Sequence, residues 1–148
     1  MKENDQYMSL ALKMAQKAKN KDEVPVGAVI VSDGKVIAKS CNARELTKDP
    51  VGHAEIIAIR KAAKKLGGWR LSGCTLYVTL EPCPMCAGAI INSRIDKVVF
   101  GAYDPKAGAL GSVYDLAQGK LNHTPRIIGG VLQDECAQLL KDYFRGKR

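Results

Sequence analysis

The stretch Thr79-Leu80-Glu81-Pro82-Cys83-Pro84-Met85-Cys86-Ala87-Gly88 frames the rest of the chain. It joins the end of an apolar, β-branched run to the start of a small-residue helical run, with two thiols three positions apart. Pro84 suits the first position of a helix, which places Cys83 at the N-cap and Cys86 in the first turn. Upstream, Gly52-His53-Ala54-Glu55-Ile56 enters a second helix. Two positions apart on an ideal helix means a separation of about 200°, so His53 and Glu55 share a site only if it lies beyond the helix end. Two helix N-termini are therefore expected to point at one place.

Each half is ambiguous alone. A single C-x-x-C is often a redox pair or half of a zinc ribbon, and a lone His is more often structural than a ligand. Together they supply three soft or borderline ligands and a spare carboxylate. Two Cys and one His leave the fourth tetrahedral position open to water, which separates catalytic from structural zinc. Partial positive charge at helix N-termini favours the thiolates. The expected cofactor is one Zn2+ per subunit, held by His53, Cys83 and Cys86. Glu55 then moves protons, as base and then as acid.

Working outward, 148 residues suit one domain, read as 1–148, with a usable core. The N-terminal Met1-Lys2-Glu3-Asn4-Asp5 is polar, and no apolar run approaches the roughly 20 residues that cross a bilayer. The expected location is the cytoplasm, with no membrane partner. Five cysteines, two of them in metal spacing, fit reduced thiols, with Cys41, Cys74 and Cys136 as small buried hydrophobes. The net charge of +8 favours a polyanionic partner. Lys13, Lys17, Lys61, Lys64 and Lys65 also fit plain solvation of helix faces, so charge alone leaves nucleic acid open.

Asp5–Asn20 reads as a helix capped by Asp5, with Met8, Ala11, Leu12, Ala15 and Ala18 at helical spacing. Ala28–Ser32 and Lys35–Ser40 flank Asp33-Gly34, a hairpin signal. The polar stretch Asn42–Gly52 reads as a loop. His53–Leu66 is a helix stopped by Gly67-Gly68, Cys74–Leu80 a buried strand, Pro84–Asn92 a short helix and Lys97–Ala102 a strand. Val113–Ala117 reads as one helical turn, Arg126–Leu132 as a last strand and Gln133–Arg145 as an amphipathic helix. Five strands alternating with helices after a hairpin predict an α/β fold, a three-layer α/β/α domain around a mixed five-stranded sheet.

The chain resembles the bacterial tRNA-specific adenosine deaminases of the cytidine-deaminase-like superfamily. The likeness covers Glu23-Val24-Pro25-Val26-Gly27-Ala28, Asn42, His53-Ala54-Glu55, Thr75 through Ala89, Ser93-Arg94-Ile95, Val98 through Ala102, Asp104-Pro105-Lys106 and Asn122-His123. The His-Ala-Glu and Pro-Cys motifs occur across many deaminases, whereas the long block ending in Pro82-Cys83 and the later Phe-Gly-Ala and Asp-Pro-Lys segments point to the tRNA branch. The resemblance implies adenosine-to-inosine conversion at the wobble position of an arginine tRNA anticodon loop, by a homodimer. It implies that Asn42 and the backbone of Ala54 hold the target base. It matches Asp104 and Lys106 to the loop that meets neighbouring nucleotides. Phe144 and Arg145, with Lys141, Lys147 and Arg148, match a basic terminal helix.

Other residues have plainer readings: Trp69 as a packing anchor, His123 as a loop hydrogen-bonder, Glu81 as half of an ion pair, and Asp104-Pro105 as a turn. Three rival functions remain. A deaminase of a free nucleobase or nucleoside uses the same metal and the same Glu55. A non-catalytic zinc or RNA-binding module needs no Glu55. A redox protein leaves His53 and Glu55 unexplained.

Overall fold

Helix α1 (Glu3–Asn20) begins two residues before Asp5, with Lys2 in the N-cap position. Asp5 sits inside the first turn and does not cap it, yet still lies where negative charge is favoured. The computed structural model describes residues 2–147, so Arg148 lies outside the described residues.

The sheet is mixed and five-stranded, in the order β2 (Lys35–Cys41), β1 (Gly27–Ser32), β3 (Cys74–Leu80), β4 (Lys97–Ala102), β5 (Arg126–Ile128). β1 runs antiparallel to β2 and β3, and β3, β4 and β5 run parallel. The predicted last strand is cut to three residues. At Gly129 the chain passes so close to Phe100 and Tyr103 that a Cβ would meet the Phe100 ring at 2.6 Å, and Gly130 follows at φ +85°. The ladder ends there and the chain turns into α5 (Gln133–Arg145).

Alternation along the strands builds two cores. Ala28, Ile30, Leu76, Val78, Val98 and Phe100 face α3 (Ala54–Leu66) and α4 (Pro84–Asn92). Val29, Val31, Tyr77 and Val99 face α1 and α5. Leu76, Ile90 and Ile30 are fully buried, which stabilises the fold by about 2 kcal/mol each. The α1 layer sits very close to the sheet. A Cβ at Gly27 would lie 2.0 Å from the Ala11 carbonyl oxygen, so this position admits only glycine.

The stretch read as a loop before α3 contains a short helix, α2 (Arg44–Thr47). Val113–Ala117 is not a helical turn: Leu110 and Asp115 pair in an isolated antiparallel bridge. Cys74 and Cys136 are buried as expected, but Cys41 is only half-buried. Trp69 is 55% exposed, with Arg70 and Arg94 stacked over its ring at 4.6 and 5.8 Å, so it anchors no core. His123 does hydrogen-bond from its loop, to the Ile95 carbonyl just before β4 at 2.6 Å. Among the described residues no helix is long and apolar enough to cross a membrane.

Candidate active site

The carboxyl ends of β3 and β4, with the chain leaving β2, frame one crevice at the edge of the sheet, where ligand sites form on open α/β sheets. Cys83 is the N-cap of α4, Pro84 is its first residue and Cys86 lies in its first turn. His53 is the N-cap of α3, and Glu55 lies in the first turn of that helix. Two helix N-termini thus converge. His53 Nδ1 lies 3.7 Å from Cys83 Sγ and 3.5 Å from Cys86 Sγ, and the three ligand atoms lie within 4.8 Å of one another. Tetrahedral zinc, with bonds near 2.0 Å to nitrogen and 2.3 Å to sulfur, needs its ligands roughly 3.5–3.8 Å apart. The two His–Cys distances fit that edge length, and the donor set suits zinc.

Hydrogen bonding from Cys86, aided by His53, pulls Cys83 down to about 4 against the effect of burial. The bond to Cys83 and burial push Cys86 up. The bond to Cys83 also raises the imidazole of His53. Glu55 is 4% exposed, and burial pushes its carboxyl up to about 7. A carboxyl poised near neutrality can both take and give a proton.

A cavity of about 270 Å³ opens above these groups, lined by Asn42, Arg44, His53, Glu55, Asp104 and Phe144, among others. Asn42 Oδ1 accepts the backbone N–H of Ala54 at 2.9 Å. An N–H must face an oxygen, so this bond fixes the amide flip and turns the NH2 group of Asn42 away from the helix end. The Ala54 backbone is already engaged at both ends, since its carbonyl accepts the Ser40 hydroxyl. The Ala54 N–H thus orients Asn42.

Glu81 is 2% exposed and pairs with no cation among the described residues. Its oxygens accept the backbone N–H groups of Asp104, Leu110 and Ser112 and the Ser112 hydroxyl. The ion-pair reading of Glu81 is thus corrected: it gathers the loop that forms one wall of the cavity. Within that loop Asp104 Oδ1 accepts the N–H groups of Lys106 and Ala107, a tight turn.

Beyond Asp104 and Phe144 the cavity continues into a groove of about 850 Å³. Lys106, Arg145, Lys141 and Lys147 supply its positive charge, and Phe144 is 50% exposed on its wall. Of the ten expected site residues, eight line the cavity or its extension, and the buried Cys86 and Ala54 adjoin it through His53 and Asn42. Arg44 and the organising role of Glu81 escaped sequence reading. Arg44 sits in a polar stretch with no local signal, and Glu81 declares itself only through partners more than twenty residues away.

A family model of MafB19-like deaminases matches residues 2–148. A Bacillus subtilis protein named tRNA-specific adenosine deaminase is 50% identical, over 100% of this chain and 92% of its own length. A solved structure from a study of A-to-I editing by tRNA:A34 deaminases at the wobble position of transfer RNA is 48% identical. It superposes with a TM-score of 0.87 and covers 91% of this chain and 99% of that one. A guanine deaminase structure from Bacillus subtilis is 34% identical at a TM-score of 0.66, over 82% of this chain and 88% of that one. Fold, site and similarity agree: the chain belongs to the MafB19-like deaminases and, among them, to the tRNA-specific adenosine deaminases.

Proposed function

We propose that this chain hydrolytically deaminates adenosine to inosine at the wobble position of a tRNA anticodon loop, of the arginine tRNA type. It would act as a cytoplasmic homodimer with one Zn2+ per subunit. The observation that carries the reading is the 50% identity, over the whole chain, to a protein named for that activity. The site supports it: a buried carboxylate and a His-Cys-Cys cluster line a base-sized cavity that opens into a basic groove with an exposed aromatic.

His53, Cys83 and Cys86 would hold the zinc, which when bound supplies a Lewis acid that makes water a nucleophile near neutral pH. Glu55 takes a proton from the attacking water and delivers it to the ring nitrogen beside the reacting carbon. It then takes the second proton and gives it to the leaving amine, so the carbon–nitrogen bond breaks and ammonia departs. The Asn42 NH2 group donates to an acceptor on the base edge. A base inside a helix cannot reach the cavity floor, so the nucleotide must be extruded from a loop. Phe144 offers a stacking face, Lys106 and Arg145 meet phosphates, and Asp104 meets a flanking nucleotide at the seam between cavity and groove.

The deciding assay incubates the purified protein with an anticodon stem-loop RNA and, separately, with guanine, cytosine and their nucleosides. Inosine at the wobble position is expected, and ammonia release from the free compounds alone would sink the reading. The guanine deaminase likeness favours that second reading, and the groove weighs against it, since a free base needs no phosphate contacts. Metal analysis tests the cofactor. Cys86→Ala is expected to reduce zinc from about one per chain to under roughly a tenth of that, with activity lost in parallel. A variant that kept full zinc would remove Cys86 from the ligand set.

A further inference from the structure

We propose that Glu23 is a positioning residue that holds Arg44 at the cavity mouth, where its guanidinium meets a backbone phosphate of the RNA. The inference rests on the substrate reading above.

Helix α2 has four residues and cannot persist by itself. Its N-cap is Ala43, which has no side-chain oxygen. The N–H groups of Glu45 and Leu46, at the second and third helical positions, are those an N-cap side chain normally serves. Glu23 serves them instead from more than twenty residues upstream. Its Oε1 accepts from Glu45 at 3.2 Å and its Oε2 from Leu46 at 2.7 Å. The carboxylate is 2% exposed and has no Lys or Arg partner among the described residues, so capping α2 is the work the structure gives it.

Capping α2 sets the position of Arg44, its first residue. Arg44 lines the cavity together with Phe144 and Asp104, is exposed, and makes no ion pair among the described residues. Asn42 is anchored separately. Its N–H bonds to the Val26 carbonyl and its side chain to the Ala54 N–H. Losing the cap should therefore free Arg44 while Asn42, Glu55 and the His-Cys-Cys cluster stay in place. Substrate capture would suffer and the chemical step would not.

The experiment measures steady-state kinetics on an anticodon stem-loop RNA at several salt concentrations, for zinc-loaded wild type, Glu23→Gln, Arg44→Ala and the double variant. Gln keeps the volume of Glu but presents only one accepting oxygen. Glu23→Gln and Arg44→Ala are each expected to raise KM roughly five- to tenfold, with kcat within about twofold. Each should flatten the dependence of log KM on log salt by about one phosphate contact. The double variant should add little to either single. Amide hydrogen exchange at Glu45 and Leu46 should quicken in Glu23→Gln.

Additive losses, an unmoved salt slope, or unchanged exchange at those two amides would overturn the proposal. Arg44→Ala breaks no buried bond, so an unchanged KM and slope in that variant alone overturns it even if Glu23→Gln fails to fold. If wild type proves inactive on the stem-loop, the substrate reading has failed and the phosphate role with it. Exchange at Glu45 and Leu46 then still judges whether Glu23 is the cap.

Discussion

Glu55→Gln is expected to lower kcat by about three orders of magnitude or more, with fold and zinc content as in wild type. The argument is geometric. Glu55 is 4% exposed in the first turn of α3, one residue past Ala54 and two past His53, and it faces the cavity. Among the described residues the other carboxylates lining that cavity are Glu81 and Asp104. Both oxygens of Glu81 are taken by loop donors, and Asp104 closes its own turn. That leaves Glu55 to carry two protons in sequence. Gln keeps the volume and one acceptor oxygen but cannot carry a proton, so binding should survive and turnover should not. The check is single-turnover inosine formation beside zinc analysis and RNA affinity. A loss of less than about tenfold would remove Glu55 from the chemistry, and loss of zinc would make it a structural support of the metal instead.

The convergence of His53, Cys83 and Cys86 is legible in the sequence because its signals are local. Pro84 after Cys83 marks a helix start, and the two-residue spacing of His53 and Glu55 restricts them to a helix end. Sheet and helix order were legible for a related reason, since apolar period and Asp33-Gly34 are local signals too. Two of the misses have a cause of the opposite kind. Helix α2 was invisible because its cap comes from Glu23. The bridge at Leu110 and Asp115 replaced an expected helical turn because Glu81 collects the N–H groups on both sides of Gly111. The size of Trp69 suggests a buried anchor, but Arg70 and Arg94 cover its ring at the surface. At α2 and at the bridge a charged side chain acts through a distant partner, whereas β5 stops short because Gly129 passes so close to Phe100 and Tyr103.

Glu81 offers the second large effect. Glu81→Ala should destabilise the fold by about 3–5 kcal/mol at neutral pH and reduce activity with it, because the cavity wall from Asp104 to Ser112 loses its tie. Four donors point at this carboxylate, three of them backbone N–H groups at 3.0, 3.1 and 3.1 Å, and no donor is required of it in return. Glu81→Gln should therefore fail as well, since its NH2 group would face donors. Gly108 shows how closely the loop wraps the group: a Cβ there would lie 2.4 Å from the Glu81 carboxyl. Burial pushes the Glu81 carboxyl up, but the bonds from Ser112, Asp104 and Leu110 outweigh it and hold the group below its usual range. A carboxyl depressed in the folded state contributes stability that is full above its unfolded value. That contribution is lost as pH falls through the folded value. Wild type should thus show a drop in stability below about pH 4.5 that is smaller in Glu81→Ala, as other carboxyls contribute the remainder. Urea unfolding of both proteins at pH 7 and pH 4 reads this directly. If the two differ by less than about 1 kcal/mol at pH 7, or lose equal stability on acidification, Glu81 is not what holds the wall.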